Sequence, residues 1–266
     1  MEMEFKFKEF WFNGELISEK EFKNYYEYHK RNVYEVIRVI NSKILFLNDH
    51  IDRLNNSILL MHGSKINLDN LISNIELVIQ KNEILNGNIK IEFIFKDDRV
   101  NFYIYPINFY YPDTRFGVAS ITCNIERENP SVKSYNYNFK NKMEKIIEEK
   151  NVYEVLLVNR DGLITEGSRS NIYFVKYNNF FTAPTCMVLN GITRINVNNI
   201  ICNLGFNLFE EAVHVDNIAK FDACFLTSTS SNVLPINKIN DILISSSENK
   251  YLSMVNSYFE KYLKKI

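Results

Sequence analysis

Lys133, Glu166, Arg53 and two hydroxyl-bearing turns carry most of the chemistry this chain offers. Lys133 follows Pro130-Ser131-Val132 and is predicted to open an amphipathic helix, a place where it can point into a cleft and where desolvation favours its neutral form. A neutral amine is a nucleophile for aldehydes. Glu166-Gly167-Ser168-Arg169-Ser170-Asn171 is expected between two strands, where a carboxylate with small neighbours can meet a flat ligand edge-on. Asn190-Gly191-Ile192-Thr193-Arg194 sets a glycine turn at a helix start, so that backbone N–H groups and the helix dipole converge on one point and favour an anion. Thr227-Ser228-Thr229-Ser230-Ser231 follows a strand and offers hydroxyls and amides, which also suits a phosphate. Taken singly, each has a plainer reading: a solvated lysine, a turn carboxylate, an exposed helix arginine, a polar loop. Their company is what gives them weight.

The elements that must position these residues follow from periodicity and turn signals. The first half reads as strands around two helices. The strands are Phe10-Trp11-Phe12, Val33 to Ile40 and Ile44-Leu45-Phe46; a helix then opens at Asn48 or Asp49 and closes at Gly63. A second helix, Leu68 to Lys81, precedes a hairpin of Ile89 to Phe95 and Val100 to Tyr105 turning at residues 96–99. Pro106 to Pro112 reads as an extended connector. The second half has a strand over Val118 to Ile125 and a helix whose stripe is Phe139, Met143, Ile146 and Ile147. Turns at Asn159-Arg160-Asp161-Gly162 and Tyr177-Asn178-Asn179 then link short strands. Thr193 to Leu204 is predicted helical, Asp216 to cap a short helix, Ala223 to Thr227 a buried strand, and Glu248 to Lys264 the last helix. This mixed order points to α+β. Only eight glycines occur, and Gly117 alone has no local explanation.

With 266 residues, 46% of them hydrophobic, the chain can form one large domain or two modest ones with a sizeable core. Its 31 Lys+Arg against 32 Asp+Glu give a net charge of -1, which sets up no long-range field for nucleic acid or an anionic membrane. Apolar runs such as Ser57 to Met61 fall far short of the roughly 20 residues that span a bilayer. Met1 to Phe10 alternates charges with aromatics and does not open as a signal peptide. Cys123, Cys186, Cys202 and Cys224 form no CxxC pair, and His29, His50, His62 and His214 have no metal-ligand spacing. A soluble, cytoplasmic protein without a metal is expected.

The motifs, taken in order, resemble one family. They are His50-Ile51-Asp52-Arg53-Leu54, Lys133-Ser134-Tyr135-Asn136-Tyr137, Glu166 to Ile172, Gly191-Ile192-Thr193-Arg194, and Thr229 six residues before Pro235. Together, over about residues 32–237, they look like the class IV aminotransferases, the fold type IV pyridoxal-phosphate enzymes that include branched-chain and D-amino-acid aminotransferases and aminodeoxychorismate lyase. The resemblance implies two domains, a smaller N-terminal α/β domain over 1–108 and a larger C-terminal cofactor-binding domain with a pseudo-barrel over 109–266. It implies pyridoxal 5′-phosphate held as an internal aldimine by Lys133, with Glu166 facing the pyridine nitrogen to preserve the electron sink. Arg53, the amide of Ile192, Thr193 and Thr229 would take the phosphate, and Tyr137 would stand near the phenolic oxygen. It also implies a homodimer acting on amino acids and 2-oxo acids.

Arg38 sits in Tyr34-Glu35-Val36-Ile37-Arg38, similar to the family's Phe-Glu-x-x-Arg strand beside the substrate. Alternation places Tyr34, Val36 and Arg38 on one face, from which Arg38 can take a substrate carboxylate or simply meet solvent. Two segments depart from the pattern. Residues 26–32 replace a glycine-containing entrance, and residues 95–99 make a short turn in place of a Thr-Arg-Gly loop. The cofactor residues are thus kept while substrate-side segments are changed. An aminotransferase is the leading reading. The alternatives are a 4-amino-4-deoxychorismate lyase releasing pyruvate and 4-aminobenzoate, and a non-catalytic descendant of the family.

Overall fold

The computed structural model describes residues 7–97, 99–109, 111–113 and 115–264. They form two compact units, Met1–Tyr110 with Val132–Asn136, and Tyr111–Ser131 with Tyr137–Ile266. The segment carrying Lys133 therefore groups with the N-terminal residues.

The first unit is built on β1 (Glu9–Phe12), β2 (Glu15–Ser18), β3 (Asn32–Ile40), β4 (Lys43–Ile44), β5 (Asn86–Phe95) and β6 (Val100–Ile107), with a single turn α1 (Phe22–Tyr25) and the longer α2 (Leu47–His62) and α3 (Leu71–Lys81). The sheet order is β2-β1-β6-β5-β3-β4, every pair antiparallel. Strand alternation sends Val33, Ile37, Val39, Ile89, Ile91, Phe93 and Phe95 to one face, where Leu54 and Ile58 of α2 and Leu71, Ile75 and Val78 of α3 complete a core. The opposite face is different in kind. Register places Tyr34 beside Glu92 and Tyr103, Val36 beside Lys90 and Tyr105, and Arg38 beside Asn88.

The second unit contains β7 (Val118–Asn124), α4 (Tyr137–Lys150), β8 (Glu154–Val158), β9 (Leu163–Gly167), β10 (Asn171–Lys176), β11 (Asn179–Thr182), α5 (Ile192–Asn203), β12 (Asn207–Glu210), β13 (Val213–His214), β14 (Ala223–Ser228), β15 (Asn232–Ile239), β16 (Ile242–Leu243) and α6 (Lys250–Leu263). One mixed sheet runs β12-β11-β10-β14-β15-β7-β8-β9-β13, with β16 paired to β15. Its strands β8, β10 and β14 are buried almost throughout, because both faces are covered there. Met143 of α4 packs on Val155 and Leu157, and Leu156, Ile172, Leu226 and Leu234 belong to a separate cluster.

Several elements differ from the sequence expectation, each for a tertiary reason. Helix α4 begins at Tyr137, so Lys133 lies outside it. Tyr34 donates its N–H to the Lys133 carbonyl, and the Asn32 side chain bonds both the N–H and the carbonyl of Tyr135; these long-range bonds hold residues 133–135 against β3. Leu163–Gly167 forms a strand, so Glu166 sits in β9 and not in a turn. Asn232–Ile239 is a strand despite Pro235. Gly117 now has its explanation: at φ 68° an added Cβ would come 3.1 Å from the Pro235 carbonyl. Leu45 and Phe46 are not strand, and α2 starts directly after Phe46 in the left-handed region at φ 53°. Helix α3 starts at Leu71, after the Asn67 side chain bonds the Asp69 N–H in a local turn. The short helix at Val215–Lys220 is capped by His214, which accepts from the Asp216 N–H. Of the turn expected at 96–99, Asp98 lies outside the described residues.

Candidate active site

In the first unit, the alternation of β3 turns Glu35 toward α2, where it is fully buried. Arg53 grips it with two bonds of 2.7 Å, Nε to Oε1 and Nη2 to Oε2, and His50 Nδ1 lies 2.8 Å from Oε2. His50 and Arg53 are three residues apart on α2, so both present to one carboxylate. Burial alone would raise the Glu35 carboxyl; the charge and hydrogen bonds of Arg53, with the bond to His50, reverse this and bring it down to about 2. Burial pushes the His50 imidazole down, favouring the neutral ring. A planar guanidinium fixed on two sides is an oriented donor.

Lys133 stands close by. Its N–H donates to Ser57 Oγ of α2 at 3.3 Å, and its Nζ lies 4.8 Å over the Tyr34 ring. The stem is fixed by the backbone bonds to β3 described above, so the amine is presented from a rigid segment. Arg38 is on the same sheet face as Tyr34, with its Nε and Nη1 buried.

In the second unit, Glu166 is 2% exposed at the end of β9. Arg127 Nε donates to Glu166 Oε1 at 2.6 Å while Arg127 Nη2 holds the Ser168 carbonyl, and the Leu189 N–H donates to Glu166 Oε2 at 3.2 Å. The turn after Glu166 is folded around a second buried carboxylate. Glu154 accepts from Ser168 Oγ at 2.6 Å and Ser170 Oγ at 2.8 Å, and a Cβ on Gly167 would come 2.2 Å from Ser170 Oγ.

Leu189 leads into the start of α5. Asn171 Nδ2 donates to the Leu189 carbonyl, and Asn171 Oδ1 fills the space where a Cβ of Gly191 would stand, 2.3 Å away. Gly191 is the N-cap, and among the described residues no side-chain cap bonds the first-turn N–H groups of Ile192–Asn203. These donors, with the buried Thr193 hydroxyl, could receive an anion. Asn171 is also in register with Thr227 of β14, whose Oγ1 is buried and without a hydrogen-bond partner among the described residues. Beyond it, Ser228 Oγ bonds the Ser231 N–H and hydroxyl, closing the turn that carries Thr229. Tyr137 is the first residue of α4 and is 51% exposed.

Arg38, Arg53 and Lys133 thus belong to the first unit, and Tyr137, Glu166, Ile192, Thr193 and Thr229 to the second. Residues 32–239 match the family model for amino-transferase class IV. The chain belongs to the class IV aminotransferases. It is 32% identical over 234 residues to the D-alanine aminotransferase of Bacillus licheniformis, covering 80% of this chain and 81% of that one. It is 27% identical over 263 residues to the probable branched-chain-amino-acid aminotransferase of Rickettsia bellii, covering 86% of each. Among solved structures, the branched-chain aminotransferase from the thermophilic archaeon Thermoproteus uzoniensis with norvaline superposes with a TM-score of 0.81 at 21% identity, covering 96% of this chain and 94% of that one. A putative 4-amino-4-deoxychorismate lyase from Legionella pneumophila gives 0.78 at 21%, covering 87% and 91%. These likenesses identify the fold: an α+β, two-domain fold type IV enzyme with a curled sheet.

Enzymes of this family use pyridoxal 5′-phosphate, which asks for a lysine amine, a carboxylate for its ring nitrogen and N–H and O–H donors for its phosphate. The residues fit: an amine on a rigid segment, a buried carboxylate already held by an arginine, an α5 N-terminus without a side-chain cap, and a buried hydroxyl with no partner among the described residues. Sequence reasoning did not single out Arg127, Glu154, or the role of Glu35 as anchor of Arg53. The inward face of β3 was the one signal that pointed to Glu35.

Proposed function

We propose that this enzyme moves an amino group between an amino acid and a 2-oxo acid, with pyridoxal 5′-phosphate on Lys133. The observation that carries the reading is the amine of Lys133 over Tyr34, presented from a segment bonded to β3 beside the Glu35–Arg53 pair, in a chain whose relatives include named aminotransferases. When bound, the cofactor supplies an aldehyde carbon for the amino nitrogen and an electron-withdrawing ring that stabilises negative charge at Cα. Lys133 Nζ would bind that aldehyde carbon, then as a free amine take the proton from Cα and return it at C4′. Glu166 would hold the proton on the ring nitrogen, with Arg127 fixing the carboxylate's direction. Arg53, the Ile192 amide, Thr193 and Thr229 would hold the phosphate, and Tyr137 would serve the phenolic oxygen.

The same reading includes free amino acids and 2-oxo acids as substrates, a homodimer and a cytoplasmic location; among the described residues no helix is long and apolar enough to cross a membrane. Light scattering on the purified protein tests the dimer. Lys133→Ala tests the centre of the proposal. It should abolish borohydride-fixed cofactor and lower turnover by at least about a thousandfold while the circular dichroism stays unchanged, since Lys133 lies outside the helix that begins at Tyr137. Unchanged turnover would end the assignment. A pyridoxamine form that persists after adding an amino acid supports the transaminase, whereas return of the aldehyde form in each turnover with aminodeoxychorismate supports the lyase.

A further inference from the structure

The face of the first sheet opposite α2 and α3 carries a buried ion pair that the proposed machinery does not use. Lys90 Nζ is 2.8 Å from Glu92 Oε2, with Lys90 9% and Glu92 0% exposed. Four tyrosines surround the pair. Tyr105 and Tyr26 donate their hydroxyls to Glu92 Oε2 at 2.8 and 3.2 Å. Lys90 Nζ lies 5.0, 5.6 and 4.9 Å from the ring centres of Tyr34, Tyr105 and Tyr135.

We propose that Lys90 takes a carboxylate of the substrate, with Glu92 and the tyrosine cage holding its ammonium in place for that purpose. This rests on the aminotransferase reading of Lys133. An ammonium has three N–H donors, and among the described residues one carboxylate oxygen is its sole hydrogen-bond acceptor; its other neighbours are ring faces, which attract a cation without consuming directed donors. An incoming carboxylate completes those donors with charge-assisted bonds, strengthened by the low local dielectric. Glu92 Oε1 is a second unfinished group. It is buried and has no donor among the described residues, a costly state that a donor on the ligand, or a water carried with it, would relieve.

Position supports the assignment. Lys133 Nζ lies 4.8 Å from the centre of the same Tyr34 ring that Lys90 faces. An amino acid carries its carboxylate one bond from the Cα that bears the reacting nitrogen, so its receptor must stand near the amine that hosts the reaction. Arg38 is less well placed. Its backbone lies four residues along β3 from Tyr34, about 13 Å at roughly 3.3 Å per residue. Val36, the register partner of Lys90, lies two residues from Tyr34, and Lys90 Nζ is 5.0 Å from the Tyr34 ring centre.

The test uses the cofactor-loaded enzyme, its best amino acid, and the amine that corresponds to that amino acid without the carboxylate. Lys90→Met should raise KM for the amino acid about ten- to a hundredfold, with kcat within about threefold, and leave the reaction with the amine unchanged. Binding of propionate, read by calorimetry, should weaken by the same factor, and Lys90→Arg should restore most of it. The double variant Lys90→Met, Glu92→Gln removes both buried charges and repeats the measurement should the single variant fold poorly. An unchanged preference for the carboxylate in both variants, or its collapse in Arg38→Met alone, would overturn the assignment. An enzyme that loads cofactor on Lys133 yet transfers no amino group from any amino acid would break the aminotransferase reading, and propionate binding would then judge Lys90 by itself.

Discussion

Arg53 and Glu166 are each fixed by a partner of opposite charge, Arg53 through two bonds to Glu35 and Glu166 through one bond from Arg127, whose second arm holds the Ser168 carbonyl. Glu35 orients Arg53, and Arg127 orients Glu166. An exposed ion pair of this kind contributes little to stability, but Glu35 is fully buried and Arg53 only 12% exposed, and removing one member of such a pair strands the other. Glu35→Ala should therefore cost about 3–5 kcal/mol in urea unfolding. It should also weaken cofactor affinity, because Arg53 loses the contact that aims it. A stability loss below about 1 kcal/mol would show that the contact is not held in solution.

At the scale of elements, short chain segments meet where strand ends and a helix start converge. The ends of β9 and β14, the beginning of β10 and the N-terminus of α5 are tied through Leu189, Asn171 and Gly191. Gly191 has an ordinary extended backbone, φ -67° and ψ 140°, so it is glycine for space and not for conformation. Gly191→Ala pushes a methyl into Asn171 Oδ1 and breaks the bond from Asn171 to the Leu189 carbonyl. The expected outcome is a cofactor dissociation constant raised roughly tenfold, equivalent to about 1.4 kcal/mol, measured by absorbance titration; unchanged affinity would mean the α5 terminus does not receive the phosphate. Pairing also overrides local preference here. Pro235 lies within β15, and its carbonyl would stand 3.1 Å from a Cβ at Gly117, whose φ of 68° already disfavours a side chain.

For the whole molecule, the division into two units gives acid unfolding a direction and a probe. Glu35 has a folded value of about 2 against an ordinary 4.5, so its stabilisation is full above 4.5 and is lost as pH falls toward 2. The His50 value is lowered from 6.5; the unfolded chain then binds that proton first, and stability also falls as pH drops below 6.5. Both effects act in the first unit. That unit also holds the single tryptophan, Trp11, packed against its core. Trp11 fluorescence should thus report unfolding that becomes easier from pH 6.5 to 2, and Glu35→Gln should flatten the lower part of that dependence. A Trp11 transition unaffected by pH over this range would refute the coupling.

The sequence alone determined the local and chemical layer. A period of two put Glu35 and Tyr34 on opposite faces of β3, helical spacing marked α2 and α4, and five motifs in order identified the family. These readings depend on neighbours a few residues apart, which periodicity records. Only the tertiary structure decided that Lys133 precedes its helix, held by Asn32 and Tyr34 about a hundred residues earlier in the chain. Tertiary structure likewise placed Glu166 in a strand against Arg127 and set Lys90 with Glu92 among four tyrosines. Such contacts arise from the register between distant segments, where burial makes an ion pair or a hydrogen bond decisive, and no local pattern of residue types encodes that register.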